Sequence, residues 1–337
     1  MTTTLQALLA GRDWLLADGA TGTNLFNMGL ESGEAPELWN LAAPEKVRAL
    51  YDGSIGAGSD LFLTNSFGGN ASRLKLHDAD GQVRELNRIA AAIGREAAEA
   101  AGRPVVVAGS MGPTGEIMAP LGPLTVEAAA DMFEEQARGL LEGGADVLWV
   151  ETISAPDEFE AAALGIARTG APWVGTMSFD TAGRTMMGVT SGDMVRLVAG
   201  LAHQPLAFGA NCGVGASDLL RTVLGMAAAQ PALPIVAKGN AGIPKFVDGH
   251  IHYDGTPELM ADYAVLARDC GAKIIGGCCG TTPAHLAAMR RALETTEPGP
   301  APDLAAISAR LGEFSSGSDG TEPESSSGGR ERRRRRG

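Results

Sequence analysis

The sequence contains few cysteines, no excess of basic charge and no long apolar run. Its four cysteines show no disulfide-framework spacing, which is typical of a reducing compartment, and we expect a cytoplasmic protein. The net charge of −13 argues against binding to nucleic acid, which requires a basic surface. No apolar run approaches the roughly 18 residues of a membrane helix, so no membrane partner is expected. No Gly-x-Gly-x-x-Gly follows the first apolar run, which argues against a nicotinamide enzyme.

The C-terminal end differs in composition from the rest of the chain. Residues 315–329 are rich in Ser, Gly and Glu, and an arginine run follows at 332–336. Such a composition is typical of a disordered tail, either merely solvated or docking on an acidic partner. We therefore expect one folded domain over residues 1–295, followed by an extension and disordered tail over 296–337.

A short apolar run, a loop of small and polar residues, and a helix-like stretch recur eight times along the chain. The apolar runs begin near residues 14, 61, 104, 146, 172, 206, 234 and 274. Nearly continuous apolar strands indicate burial on both faces of a parallel sheet. The repeat predicts an α/β protein with a single (β/α)₈ TIM barrel, and a doubly wound open sheet is the alternative.

Chemically distinctive residues fall at or just after the carboxyl ends of the predicted strands. They are Asp18, Asn65, Glu151, Asn211, Cys212, Asn240, Cys278 and Cys279. In a barrel these strand ends share one face, on which such folds place their active sites. Residues that are far apart in sequence are therefore expected to converge.

The adjacent pair Cys278-Cys279 follows an apolar run and two glycines, and Cys212 follows another strand in a similar context. Neighbouring cysteines rarely form a disulfide with each other, because the resulting ring is strained, but they can grip one soft metal ion. Cys270 lies at a predicted helix end, where a free thiol usually acts as a small buried hydrophobe. Three thiolates from two strand ends predict a zinc site with one open position, which is typical of catalytic zinc.

Two other functional readings remain at this stage. A thiol/disulfide redox protein would cycle the Cys278-Cys279 pair, although no Cys-x-x-Cys motif supports it and Cys212 is left unexplained. A non-catalytic zinc sensor would use the same residues without turnover.

Eight motifs in order, each at a predicted strand end, carry a resemblance to a known family. They are Asp18-Gly-Ala-Thr-Gly-Thr23, Thr64-Asn-Ser-Phe-Gly68, Gly112-Pro-Thr-Gly-Glu116, Glu151-Thr152, Met177-Ser-Phe-Asp180, Asn211-Cys212, Asn240-Ala-Gly242 and Gly276-Gly-Cys-Cys-Gly280. Over about residues 12–295 the chain resembles the zinc-dependent homocysteine S-methyltransferases. These include the betaine-homocysteine methyltransferases and the homocysteine module of cobalamin-dependent methionine synthase.

The resemblance implies that Cys212, Cys278 and Cys279 bind Zn²⁺ and that the thiol of homocysteine takes the open position, to be methylated to methionine. The sensor alternative would bind zinc or homocysteine at the same residues without catalysis. It also assigns candidate substrate-binding residues. Backbone N–H groups of Gly19, Ala20 and Thr21 would take the carboxylate, and Asp18 and Glu151 would receive the ammonium group. Asn65 is a further candidate, and Asn240 would either cap the zinc when substrate is absent or hydrogen bond within its loop.

The resemblance leaves the methyl donor open between betaine and a separate partner protein that carries a methylcorrinoid or methylfolate. Betaine enzymes of this family surround the quaternary ammonium with aromatic residues. In this chain Gly68 stands where such an enzyme places a tyrosine, and Trp39 lies off the register of the family's tryptophan.

Overall fold

The computed structural model describes residues 4–247 and 250–321 of the chain. The strands are β1 (Leu15–Leu16), β2 (Leu61–Leu63), β3 (Val106–Met111), β4 (Val147–Ile153), β5 (Trp173–Met177), β6 (Ala207–Cys212), β7 (Ile235–Gly239), β8 (Pro244–Val247), β9 (His250–Tyr253) and β10 (Ala272–Gly277). The arginine run singled out above lies outside the described residues.

Helices alternate with the strands along the chain. They are α1 (Leu5–Gly11), α2 (Gly22–Asn27), α3 (Trp39–Ala42), α4 (Pro44–Gly56), α5 (Ala71–Lys75), α6 (Val83–Ala100), α7 (Val126–Glu142), α8 (Pro156–Ala167), α9 (Ser191–Gly200), α10 (Ala216–Ala228), α11 (Pro257–Asp269), α12 (Pro283–Thr295) and α13 (Leu304–Leu311). Several helices begin at a threonine whose hydroxyl accepts a hydrogen bond from a backbone N–H of the first turn. Examples are Thr125, Thr190 and Thr256. No helix among the described residues is long and apolar enough to cross a lipid bilayer.

Eight of the strands form one parallel sheet in the order β1-β10-β7-β6-β5-β4-β3-β2, and β8 and β9 form a small antiparallel pair. The predicted (β/α)₈ barrel is confirmed. Apolar residues from alternate strand positions fill the interior, among them Leu63, Trp149 and Ile274, and α1 packs Leu5 and Leu8 against them. The larger part of the core lies between the strands and the surrounding helices.

The seam between β1 and β2 is bridged mainly by carboxylates. Leu16 O accepts from Asp60 N at 2.7 Å, and Asp60 Oδ2 in turn accepts from Leu16 N at 2.9 Å. Two residues after β1, Asp18 Oδ2 accepts a hydrogen bond from Leu63 N at 2.9 Å. Asp18 therefore joins the first and second strands of the barrel at the edge where the polar residues gather.

The extension beyond residue 295 is structured as far as the description reaches. Helix α13 buries Ile307 completely and Leu311 almost completely in the core. Residues 312–321 follow it and hydrogen bond to the start of α10. Ordered contacts thus continue into the stretch from residue 315 for which the composition predicts a disordered tail.

Candidate metal and substrate site

A cavity of about 1200 Å³ opens among the loops that follow the strands' carboxyl ends. The structure brings nine of the ten predicted site residues to its wall: Asp18, Gly19, Ala20, Thr21, Asn65, Glu151, Cys212, Cys278 and Cys279. The tenth, Asn240, contacts two of the loops that carry the cysteines. The convergence expected for a barrel is therefore present.

The sulfur atoms of Cys212, Cys278 and Cys279 form a compact group in which all lie within 4.8 Å of one another. The Sγ atoms of Cys212 and Cys279 are 3.9 Å apart. Sulfurs about 2.3 Å from one tetrahedral zinc ion stand about 3.8 Å from each other, so this donor set fits that ion. Cys270 lies apart from the group, buried in the core at the end of α11, as the sequence predicts.

Left-handed backbone at the end of β6 presents the first thiol. Cys212 has φ of 61° and Gly213 has φ of 73°, and a residue other than glycine rarely adopts this conformation. On β10, a Cβ atom at Gly277 would lie 2.3 Å from Thr281 Cγ2, so only glycine fits before the cysteine pair. Cys278 N then donates to Gly239 O at 2.7 Å, which ties the pair to the end of β7.

Two asparagine amides support the cysteines from neighbouring strands. Asn240 Oδ1 accepts from Cys279 N at 3.0 Å, and its Nδ2 donates to Gly213 O at 2.9 Å and lies 3.8 Å from Cys212 Sγ. Asn240 therefore joins the two cysteine loops. A single side chain fixes the separation of thiols that belong to different strands.

Asn211 holds Thr152, a second residue with left-handed backbone beside the site, through two hydrogen bonds. Thr152 has φ of 63°, which is unfavourable for a β-branched residue. Asn211 Oδ1 accepts from Thr152 N at 2.9 Å, and Asn211 Nδ2 donates to Thr152 Oγ1 at 2.7 Å. The same Nδ2 lies 3.9 Å from Cys278 Sγ. The clamp therefore couples the end of β4, which carries Glu151, to the cysteine pair.

The thiols of this group hold their protons strongly. Hydrogen bonding with Cys278, reinforced by burial, raises the pKa of Cys212 to about 12. Hydrogen bonding with Cys212, again with burial, raises the pKa of Cys279 to about 11. Three such groups become thiolates near neutral pH only if a cation replaces the protons.

A buried charge cluster of Asp18, Lys238 and Glu151 forms the floor of the cavity. Lys238 Nζ lies 2.6 Å from Asp18 Oδ1, and the lysine side chain is 2% exposed. Glu151 Oε1 accepts from Ser110 Oγ at 2.5 Å. Burial raises the pKa of Glu151, and Lys238 opposes this rise. Burial alone would lower the pKa of Lys238, but Asp18 and Glu151 outweigh it and raise the pKa above 10.5.

Lys238 is a site residue that the sequence reasoning missed. A lysine inside the otherwise apolar run Ile235–Gly239 was the available signal, because a buried lysine requires a carboxylate partner. Tyr253 was missed as well. It lines the cavity from the last position of β9, and burial, followed by the charge of the Cys279 sulfur, raises its pKa.

The turn from Gly19 to Thr21 lies against the loop after β10. Ala20 N donates to Thr281 O at 3.0 Å, so the amide of Ala20 is already engaged. Among the described residues, the amides of Gly19 and Thr21 have no such acceptor. Both residues line the cavity. Two of the three N–H groups predicted for carboxylate binding are thus free for it.

Asn65 donates hydrogen bonds to the surrounding structure through its side-chain amide and its backbone N–H. Its amide Nδ2 donates to Pro36 O at 2.7 Å and to Asn40 Oδ1 at 3.0 Å, and its backbone N donates to Tyr51 Oη at 2.7 Å. The side chain is 1% exposed. These contacts fix the loop after β2 against the segment around Pro36.

Glu37 faces Gly68 at the outer part of the cavity. Glu37 Oε1 accepts from Gly68 N at 2.6 Å, and a Cβ atom at Gly68 would stand 3.1 Å from that oxygen. A larger side chain at position 68 would therefore meet a buried carboxylate. Arg73 and His77 line the same part of the cavity. Trp39 is buried with Lys46 Nζ 4.3 Å from its ring centroid, and does not line the described cavity.

Comparison with known proteins bears on these residues. The family model described as homocysteine S-methyltransferase matches residues 15–293. The chain is 30% identical over 288 residues to methionine synthase of Mycobacterium tuberculosis, covering 81% of this chain and 24% of that protein. It is 29% identical over 306 residues to methionine synthase of Mycobacterium leprae, covering 86% of this chain and 25% of that protein. The chain thus spans about a quarter of the length of these relatives.

Solved structures agree with the family match. The metallated form of the homocysteine methyltransferase MmuM from Escherichia coli superimposes with a TM-score of 0.71 and 29% identity, covering 85% of this chain and 99% of that one. The oxidized form of MmuM gives a TM-score of 0.72 and 28% identity, covering 85% and 98%. Since the family model spans most of the barrel, this chain belongs to the homocysteine S-methyltransferase family.

Proposed function

We propose that this protein is a zinc-dependent homocysteine S-methyltransferase that forms methionine. The observation that carries the proposal is the placement of three cysteine sulfurs, within 4.8 Å of one another, in the same cavity as a buried pair of carboxylates. The sulfurs suit a soft metal and a thiol substrate, and the carboxylates suit the ammonium group of an amino acid.

Cys212, Cys278 and Cys279 are the residues that would hold the zinc. A bound zinc ion supplies positive charge that keeps a coordinated thiol deprotonated at neutral pH, where free homocysteine is mostly protonated. Asn240 and Asn211 hold the cysteine loops in position, so little reorganisation is needed when the ion binds.

The charge cluster is suited to the substrate's ammonium group. Asp18 and Glu151 supply two carboxylates against the single ammonium of Lys238, which leaves one negative charge without a fixed counterpart. An incoming ammonium group would neutralise it. Because Asp18 is already bonded to Lys238 and to Leu63 N, we assign the direct contact with substrate to Glu151. Asp18 would then act mainly by orienting Lys238.

The free N–H groups of Gly19 and Thr21 are suited to the substrate's carboxylate. They point from a turn that is fixed to Thr281 by the amide of Ala20, so their position is set before substrate binds. Backbone N–H groups can bind a carboxylate although they carry no net charge. They therefore add no second cation that would compete with Lys238 for Asp18 and Glu151.

The methyl donor would enter from the outer part of the cavity, between the loop containing Glu37 and the residues Arg73 and His77. The proposed donors remain betaine and a methylcorrinoid or methylfolate carried on a partner protein. A Cβ atom at position 68 would stand 3.1 Å from the Glu37 carboxylate, so a side chain there would require Glu37 to shift. With Gly68 at this position, betaine would be bound without the aromatic residue that its known enzymes place there.

The test is a donor panel with a metal control. Zinc-loaded protein is incubated with homocysteine and, separately, with betaine, a sulfonium donor or protein-borne methylcorrinoid, and methionine is assayed. We expect methionine with one donor and its loss after chelation. Zinc should also mask three of the four thiols toward a thiol reagent. Turnover that is indifferent to chelation, or masking of only Cys278 and Cys279 on mild oxidation, would favour a redox role instead.

A further inference from the structure

Residues 312–321, here called the C-terminal strap, lie across the first turn of α10. Three side chains from the first two turns of α10 hydrogen bond to the strap backbone: Ser217 Oγ donates to Gly312 O at 2.7 Å, Asp218 Oδ2 accepts from Ser315 N at 3.0 Å, and Arg221 Nη1 donates to Ser316 O at 2.7 Å. The start of α10 is therefore bound to the strap by both charged and neutral groups.

The charged groups in this contact are buried. Arg221 Nη2 donates to Asp218 Oδ1 at 2.7 Å, and the two side chains are 6% and 9% exposed. The Arg221 guanidinium also lies 4.8 Å from the ring centroid of Phe314 in the strap. A buried ion pair is unfavourable unless its other hydrogen-bonding groups find partners, and the strap supplies partners for Arg221 Nη1 and Asp218 Oδ2. Arg221 Nε is buried without a partner among the described residues.

Helix α10 begins directly after the loop that carries Cys212. The intervening residues include Gly213, with φ of 73°, and Gly215, which occupies the N-cap position and offers no side chain to cap the helix. The backbone at Cys212 is itself left-handed. Asn240 holds the Cys212 side of this loop through Gly213 O, and the other side of the loop takes its position from the start of α10, which the strap contacts.

The far end of the strap contacts the loop on the other side of the cysteine. A Cβ atom at Gly183, in the loop after β5, would lie 2.3 Å from the carbonyl carbon of Asp319, so the two backbones touch. The same loop begins near Phe179, whose carbonyl oxygen would lie 3.1 Å from a Cβ atom at Gly213. The strap therefore contacts both the loop after β5 and the start of α10, the helix that follows the Cys212 loop.

We infer that the C-terminal strap positions Cys212 and so sets the affinity of the three-cysteine site for its metal. Asp218, Arg221 and Phe314 act as positioning residues, since they reach the metal site only through the Cys212 loop. The inference rests on the proposed function in one respect, the identity of the site as a metal site.

The test compares Phe314→Ala with three references in the full chain: the wild type, Phe314→Tyr, which keeps a ring over Arg221, and Arg310→Ala. Arg310 lies on α13 but pairs with the exposed Asp262, away from the strap. The first measurement is the dissociation constant for Co²⁺, a coloured substitute for zinc. The second is the rate at which iodoacetamide alkylates Cys212 and Cys278 in metal-free protein, resolved by mass spectrometry.

We expect Phe314→Ala to weaken Co²⁺ binding about tenfold, as removal of a group that orients a metal ligand does. Alkylation should become several-fold faster at Cys212 and change less at Cys278, whereas Phe314→Tyr and Arg310→Ala should match the wild type. Wild-type Co²⁺ affinity and alkylation in Phe314→Ala would overturn the inference. If that variant does not fold, Ser217→Ala, which removes only the bond to Gly312 O, is judged by the same criteria.

The two proposals fail in distinguishable ways. If the wild type binds no Co²⁺, the proposed metal site is refuted, while the alkylation rates still decide whether the strap positions Cys212. If the wild type binds Co²⁺ and Phe314→Ala binds it equally well, the strap inference fails and the metal site stands.

Discussion

Lys238 Nζ and Asp18 Oδ1 form an ion pair at 2.6 Å in the barrel, with both side chains at most 5% exposed. The pair joins β7 to the end of β1 and places Asp18 where its other oxygen accepts from Leu63 N. One carboxylate therefore contributes to the barrel seam and to the charge of the site.

Replacing Lys238 by Met should destabilise the protein in a pH-dependent way. Removing one partner of a buried pair costs about 3 to 5 kcal/mol at neutral pH, because Asp18 and Glu151 are left without a counter-charge. Burial already raises the pKa of Glu151 above 4.5, and loss of Lys238 should raise it further. The folded state then binds more protons than the unfolded state, so its stability falls as pH rises from about 4.5 through the raised pKa.

Urea unfolding of this variant at pH 5 and pH 7 checks the expectation, with Lys273→Met on β10 as the control. Lys273 is only half-buried, and its replacement should cost little at either pH. A Lys238→Met protein with the same loss of stability at both pH values would refute the assigned charge balance.

Replacing Glu151 by Gln should weaken the use of homocysteine and leave zinc in place. The change removes a charge-assisted hydrogen bond to the ammonium group, worth about 1.5 to 3 kcal/mol, or roughly 10- to 150-fold in kcat/KM. The comparison substrate is a thiol with the carboxylate but no amino group, for which wild type and variant should differ little. Equal losses with both thiols would assign Glu151 a structural role instead.

Replacing Asn211 by Ala should weaken the metal site and destabilise the fold at once. The variant loses both bonds to Thr152, whose left-handed conformation they hold, and the contact with Cys278 Sγ. Loss of a group that orients a metal ligand typically lowers metal affinity about 10- to 100-fold. Zinc competition against a chelator measures it. Thr176→Val, which removes only one neighbour of Asn211, serves as the control and should retain most of the affinity.

The sequence predicted the barrel because each strand is a short apolar run with a polar residue at its carboxyl end, and both features are local. It predicted the cysteine group for the same reason, since Cys212 and Cys278 follow strands that a barrel brings to one face. Lys238 was missed because its partner, Asp18, follows a strand that is distant in sequence. Only the closed barrel shows that the two side chains meet.

The strap was missed for a different reason. Its Ser- and Gly-rich composition is typical of disorder, and most of its contacts are hydrogen bonds between its backbone groups and the side chains of Ser217, Asp218 and Arg221. Sequence patterns detect ordered segments mainly through their apolar side chains, and Phe314 is the only large apolar residue among residues 312–321. Asn211 was recognised by its place at a strand end, but its clamp on Thr152 depends on a backbone angle that no sequence pattern indicates.

The most direct test of the account is the zinc content of four single Cys→Ala variants, at positions 212, 270, 278 and 279, each purified beside the wild type. Cys270 is the internal control, because it lies in the core outside the sulfur group. We expect one zinc per wild-type chain, retention of zinc and methyl transfer in Cys270→Ala, and loss of both in the other three variants. A Cys278→Ala protein that retained zinc and turned over at the wild-type rate would contradict the account.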